Sequence, residues 1–165
     1  MHKIIITGPE SSGKTTLCKA LSKHFNLPFS KEFAREYLDV LNRDYNQDDL
    51  LKIAEGQLKS ENRIQLLDTD LVTLKIWSKY KYGSCDKWVL AQIEKQKSEN
   101  RFYLLCKPDI SWEADPLREN PKDREELFEI YKKETESLGY DYFIVEGENR
   151  IGNCISKISP LMSLI

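Results

Sequence analysis

Near the N-terminus the chain carries the spacing of an anion-binding turn. Gly8-Pro9-Glu10-Ser11-Ser12-Gly13-Lys14-Thr15 follows the pattern G-x-x-x-x-G-K-[ST]. Gly8 and Gly13 allow the backbone to curl, so that the N–H groups of Glu10, Ser11, Ser12 and Gly13 converge on a phosphate. A helix opening at Lys14 adds the positive end of its dipole. In such a loop the Lys14 ammonium reaches the β- and γ-phosphates, the Thr15 hydroxyl ligates Mg²⁺ and Thr16 donates to the α-phosphate. This set of residues predicts a site for ATP and Mg²⁺.

A magnesium site also calls for a carboxylate at the end of a neighbouring strand. Asp68, after Ile64-Gln65-Leu66-Leu67, has that position. Asp70, two residues on, reads equally as a helix cap or as a contact to substrate hydroxyls. Phosphoryl transfer to a small molecule needs an acid or base on the acceptor side, and arginines that neutralise charge when the site closes. Glu32 and Arg35 stand just past the second strand, on the side that topology turns toward the loop. Arg118 and Arg124 follow the fourth strand, beside Trp112, Asp115 and Pro116, where a lid over about 107–124 is expected.

These residues need a scaffold, and the hydrophobic pattern supplies an alternating one. Strands are expected at Lys3–Gly8, Leu27–Lys31, Ile64–Asp68, Arg101–Cys106 and Tyr140–Val145. Helices are expected at 14–25, 33–42, from Asp48 to about Asn62, at 71–82, 86–97, 123–138 and 151–164, with Gly83 and Gly139 as stops. Strand–helix alternation predicts an α/β domain with about five parallel strands flanked by helices, one domain over residues 1–165.

Composition narrows the function. Lys and Arg number 25 against 27 Asp and Glu, a net charge of −2, which lacks the basic footprint of a nucleic-acid binder. The apolar runs are too short to span a bilayer and no signal peptide is read at the start, so a cytoplasmic protein without membrane or nucleic-acid partners is expected. The four cysteines, Cys18, Cys85, Cys106 and Cys154, have no C-x-x-C pairing and read as reduced, buried thiols. His2 and His24 have no acidic or cysteine partners at ligand spacing. A GTPase reading fails at Asp68-Thr69-Asp70-Leu71, which lacks the glycine of D-x-x-G, and at Cys106-Lys107-Pro108-Asp109, which has Cys where a base reader needs an amide or hydroxyl. Large motor and AAA+ ATPases need more chain and additional sensor elements.

Taken in order, G-P-E-S-S-G-K-T-T (8–16), K-E-F-A-R-E-Y (31–37), L-L-D-T-D (66–70), W-E-A-D-P-L-R (112–118) and Y-F-I-V-E-G (142–147) resemble the nicotinamide riboside kinase-like P-loop family. That family includes the kinase domain of NadR-type regulators of NAD synthesis. The resemblance implies a nucleoside-kinase fold with a lid, Mg-ATP as phosphoryl donor and a nucleoside acceptor, nicotinamide riboside first. It implies that Glu32 and Arg35 lie at the acceptor; Asp70, Trp112 and Asp115 are read from the sequence itself as further substrate-side candidates. Asp68 would lie at the metal and Arg118 and Arg124 on the lid. The Glu146–Arg150 turn would border the adenine, with Arg150 stacking on it. Where well-known members have an aromatic just before the strand-two Glu, this chain has Lys31. A cation there is expected to oppose a pyridinium ring, leaving Phe33, Trp77 or Trp112 to supply a ring face. The resulting expectation is a kinase acting on a ribose 5′-hydroxyl. The alternative is a regulatory ATPase module that switches a partner.

Overall fold

Three consecutive isoleucines, Ile4, Ile5 and Ile6, are each 0% exposed and form the centre of β1 (Lys3–Thr7). A strand covered on both faces has no solvent side, so a continuous β-branched run suits it better than alternation. The computed structural model describes residues 2–162. It adds β2 (Phe29–Ser30), β3 (Leu66–Asp68), β4 (Arg101–Cys106) and β5 (Asp141–Val145). The helices are α1 (Lys14–Phe25), α2 (Phe33–Asp39), α3 (Gln47–Ser60), α4 (Leu71–Tyr82), α5 (Lys87–Gln96), α6 (Arg124–Ser137) and α7 (Arg150–Met162). All strands pair in parallel, in the order β2-β3-β1-β4-β5, as the alternation requires. Among the described residues no helix is long and apolar enough to cross a membrane.

Alternation along the strands divides the core in two. Ile4, Ile6, Leu66 and Leu104 pack with Leu17 and Leu21 of α1 and with Cys154 and Ile158 of α7. Ile5, Leu67, Tyr103 and Leu105 face the other way, toward Ile53, Leu71, Val89 and Phe128 on α3 to α6. Because β1 lies between β3 and β4, the turns leaving these three strands meet at one carboxyl-terminal edge. In sheets of this kind ligands bind there.

Some boundaries differ from the sequence expectation, for local reasons. The second strand shrinks to Phe29–Ser30 because Pro28 has no N–H and the Leu27 N–H returns to Ser22 at 3.1 Å to close α1. Helix α2 stops at Asp39, where Leu41 N–H bonds Leu38 in a turn. Helix α3 starts one residue before Asp48, under a reciprocal cap between Asn46 and Asp49. Helix α4 has its expected limits and ends on Gly83 at φ 74°. The terminal helix is described to Met162, so positions 163 and 164 of the expected helix lie outside the described residues. Cys18, Cys106 and Cys154 are buried and Cys85 is half-buried; all four are free thiols.

A charged cluster is buried under the sheet. The Arg101 guanidinium, 0% exposed, donates to Glu61 at 2.6 Å and to Asp70 at 2.9 Å. Gln96 and Lys3 approach the same Glu61 oxygen, at 3.3 and 3.6 Å, while Glu61 Oε1 is buried without a partner. Burial chiefly, and the neighbouring Asp70 charge, outweigh Arg101 and push the Glu61 carboxyl up to about 7. Because the folded carboxyl holds its proton more tightly than the unfolded one, its stabilising contribution is complete below about pH 4.5 and lost as pH rises through about 7. That contribution is at most about 3 kcal/mol. Urea unfolding at pH 5 and pH 8 should therefore show a smaller pH difference for Glu61→Gln than for wild type. An unchanged difference would mean that Glu61 does not titrate in this range.

Candidate functional site

The turn after β1 has the backbone its glycines predict. Gly8, at φ 138°, lies so close to β4 that a Cβ would sit 2.5 Å from the Cys106 carbonyl oxygen. Ser11 and Gly13 adopt left-handed φ values of 52° and 83°, and Gly13 caps α1 without any side chain in the way. The loop closes on itself, with the Ser12 hydroxyl and the Lys14 ammonium both donating to the Pro9 carbonyl, at 2.7 and 2.8 Å.

Beside it, the Thr15 hydroxyl donates to Asp68 Oδ2 at 2.7 Å. Asp68 is 1% exposed and its Oδ1 has no partner. Burial raises its carboxyl above the usual range, opposed by the Thr15 hydrogen bond and the Lys14 charge. A hydroxyl and a carboxylate with a vacant lone pair form the hard oxygen set that suits a small divalent cation.

A cleft of about 260 Å³ opens over this floor. Its walls bring together the loop residues Gly8–Thr16, Glu32 and Arg35 from the start of α2, and Arg118 from the segment after β4. Ala34, Leu38, Ile76, Trp77 and Leu117 make one end of it apolar. Glu32 is the N-cap residue of α2, yet its side chain makes no cap hydrogen bond. Gln57, 0% exposed, bridges the two neighbouring backbones: it accepts from Phe33 N–H at 2.9 Å and donates to the Thr69 carbonyl at 3.3 Å. Sequence reasoning missed Gln57, because its partners are 24 and 12 residues away and nothing in the local pattern marks it.

The lid segment is docked on the loop. Arg124, the first residue of α6, donates to the carbonyls of Ser11 and Ile110 at 3.0 and 3.1 Å. Arg118 donates to the Glu113 carbonyl and approaches the Ser11 hydroxyl at 3.5 Å. Both guanidiniums lie over the Trp112 ring, at 5.9 Å for Arg118 and 5.6 Å for Arg124. Arg35 pairs with Asp115 at 2.9 Å, and that ion pair with the Leu117 N–H holds the Asp115 carboxyl below the usual range.

Three substrate-side expectations are corrected by these contacts. Asp70 is 0% exposed: it caps α4 through Val72 N–H at 3.0 Å and accepts from Arg101 and Tyr103, which leaves no oxygen for a substrate hydroxyl. Trp112 and Asp115 are outside the cleft lining; one carries the lid arginines and the other tethers Arg35. Lys31 is also exposed and outside the lining, because neighbouring residues on extended backbone point opposite ways and Glu32 faces in. Of the three candidate ring faces, Trp77 lines the cleft, whereas Phe33 packs against Gly56, where a Cβ would meet its ring at 2.1 Å. The edge of the Arg150 guanidinium is engaged by the Ser12, Lys107 and Val145 carbonyls and Asp109, between 2.5 and 3.1 Å. It braces the loop against the ends of β4 and β5, and it lies outside the cleft lining.

The sequence profile of the AAA domain family matches residues 3–150. The chain is 27% identical to the trifunctional NAD biosynthesis/regulator protein NadR of Escherichia coli, over 98% of this chain and 43% of that protein. It superposes on a crystal structure of NadR in complex with NR with a TM-score of 0.79 at 24% identity, covering 99% of this chain and 52% of that one. On deoxyadenosine kinase from M. mycoides with bound dCTP the TM-score is 0.63 at 16% identity, covering 97% and 100%. The chain therefore spans about half the length, or less, of the NadR proteins it matches. These likenesses show the fold, a P-loop domain with a five-stranded parallel sheet flanked by helices; the alternation of strands and helices predicts the parallel sheet, and the resemblance implied the nucleoside-kinase form of it. Length and sensor elements set large AAA+ ATPases apart in the sequence, yet an AAA domain model matches residues 3–150 of this chain.

Proposed function

The chain belongs to the AAA domain family, and on that footing we propose that it is a P-loop phosphotransferase that moves the γ-phosphoryl of ATP to the 5′-hydroxyl of a nucleoside. The observation that carries the reading is one cleft lined by Lys14, Thr15, Glu32, Arg118 and the aromatic Trp77, with Asp68, itself outside the lining, hydrogen-bonded to Thr15. A carboxylate such as Glu32 could activate water as well as a hydroxyl, but a hydrolytic switch has no need of an aromatic face such as Trp77 in the same cleft.

In this reading the N–H groups of Glu10 to Gly13 and the dipole of α1 hold the phosphates, with Thr16 at the α-phosphate. Lys14 exchanges the Pro9 carbonyl for phosphate oxygens. Thr15 and the unpartnered oxygen of Asp68 are the groups that would hold Mg²⁺, whose charge would offset that of the phosphates. Glu32 orients the acceptor hydroxyl and takes its proton, and Arg35 sits beside the ribose. Arg118 and Arg124 turn from main-chain carbonyls toward the transferring group as charge develops. Arg150, which braces the end of the loop, stacks on the adenine in this reading.

Nicotinamide riboside is the leading acceptor. The likeness to NadR supports it, as does a cleft with an aromatic face at Trp77 and Lys31 turned away. The objection that Lys31 repels a cationic ring has lost its basis, so Lys31→Trp should leave activity unchanged. A thermal-shift panel with a non-hydrolysable ATP analogue tests the acceptor class: a bound nucleoside raises the melting temperature by mass action. Nicotinamide riboside should give the largest shift among it, uridine and adenosine, and no shift from any nucleoside would overturn the reading.

The metal is tested separately. Asp68→Asn keeps the side-chain shape but removes the charge, so the Mg²⁺ concentration giving half-maximal activity should rise on the order of tenfold or more. If that midpoint stays put while stability falls, Asp68 only anchors Thr15.

A further inference from the structure

An acid in a phosphate-binding loop is electrostatically out of place, because it repels the anion that the loop is built to hold. Glu10 occupies such a position, but its carboxylate is directed to the lid. Oε1 and Oε2 each accept the Glu119 N–H at 3.1 Å, and Oε2 also accepts the Asn120 N–H at 2.8 Å and its side-chain amide at 3.5 Å. Ser11, next in the loop, accepts the Glu113 N–H at 2.9 Å. The tip of the phosphate loop thus grips the lid near both ends of its 113–120 segment.

The same lid residue is held from the opposite side. The Glu119 carboxylate accepts the Tyr45 hydroxyl at 2.6 Å and Lys81 Nζ at 2.9 Å. The Tyr45 oxygen in turn accepts the Trp77 indole N–H at 3.0 Å, and the two rings meet edge to face at 5.1 Å. Glu119 therefore joins the phosphate loop, through its backbone, to the apolar end of the cleft, through its side chain.

We propose that Glu10 is a positioning residue that anchors the lid on the phosphate loop, and that Glu119 is the strut tying the anchored lid to the Tyr45–Trp77 wall. The lid arginines are then held at the phosphates in register with the wall that contacts the acceptor's base. This rests on the phosphotransferase reading for its effect on rate, but the latch itself is testable without substrate.

Hydrogen exchange of the 113–120 segment in the ligand-free protein reads the latch directly. In Glu10→Ala the amides of Glu119 and Asn120 should exchange on the order of tenfold faster, with Glu10→Gln in between because its carbonyl oxygen still accepts without the charge. Unchanged exchange in Glu10→Ala overturns the proposal. With substrates, Glu10→Ala should lower kcat on the order of 10–100-fold with KM for ATP within about twofold, and Glu10→Gln should recover part of kcat. A raised KM with unchanged kcat would make Glu10 a plain nucleotide ligand and also overturn it. Glu10→Gln and Tyr45→Phe act through Glu119 from its two sides, so their combined effect on kcat should be non-additive; simple additivity removes the strut. If exchange quickens as expected while wild type phosphorylates no nucleoside, the latch stands and the acceptor reading falls.

Discussion

Lys14→Ala is expected to abolish ATP turnover, by a factor of about 10³ or more, while the protein melts within a few degrees of wild type. The rate loss combines a missing ground-state contact to the β- and γ-phosphates with a missing charge on the group in flight; one transition-state donor alone is worth about 10²–10³. The fold should survive because the Lys14 ammonium has no core role: it donates to the Pro9 carbonyl at 2.8 Å, within its own loop, and Ser12 donates to the same oxygen at 2.7 Å. Circular dichroism and a coupled ADP assay check both halves. A well-folded variant with undiminished ATP turnover would contradict a phosphate role for the loop.

Glu32→Gln is expected to lower kcat by about 10²–10⁴, the range for a lost general base. Binding of an ATP analogue should be unchanged, since Glu32 faces the acceptor end of the cleft. Its position argues for chemistry over structure. Glu32 stands at the N-cap of α2, makes no capping bond and lines the cleft, which leaves its carboxylate available to a ligand there. Gln57 fixes the backbone beneath it through Phe33, so the amide variant should keep the geometry. Single-turnover measurement of phosphoryl transfer separates the outcomes. A normal rate in Glu32→Gln would transfer the proton-accepting role to another group in the cleft.

What was legible in the sequence was local. Gly8 and Gly13 dictate the loop because their φ values exclude other residues, and the β-branched run before them could only be an interior strand. Asp68 was legible because a strand ending in an acid, next but one in the alternation, has few places to go. The placement of Trp77 was less so, since an aromatic on a helix reads first as core. Long-range contacts decided the rest. Asp70 has the sequence position of a site residue, but Arg101 and Tyr103, 31 and 33 residues on, occupy its second oxygen. Lys31 was misread because a motif position gives the residue and not the direction of its side chain. The second strand was overextended because the hydrogen bonds that stop it belong to the preceding helix.

Phosphoryl transfer to a nucleoside is the central proposal, and product stoichiometry tests it most directly. Purified protein is incubated with ATP, Mg²⁺ and nicotinamide riboside, uridine or adenosine in turn, and ADP and nucleoside 5′-monophosphate are quantified by chromatography. The account predicts one monophosphate per ADP, most rapidly with nicotinamide riboside, and almost no ADP without an acceptor. ADP released at the same rate with or without every nucleoside, and no phosphorylated product, would contradict it and leave a nucleotide-hydrolysing switch in its place.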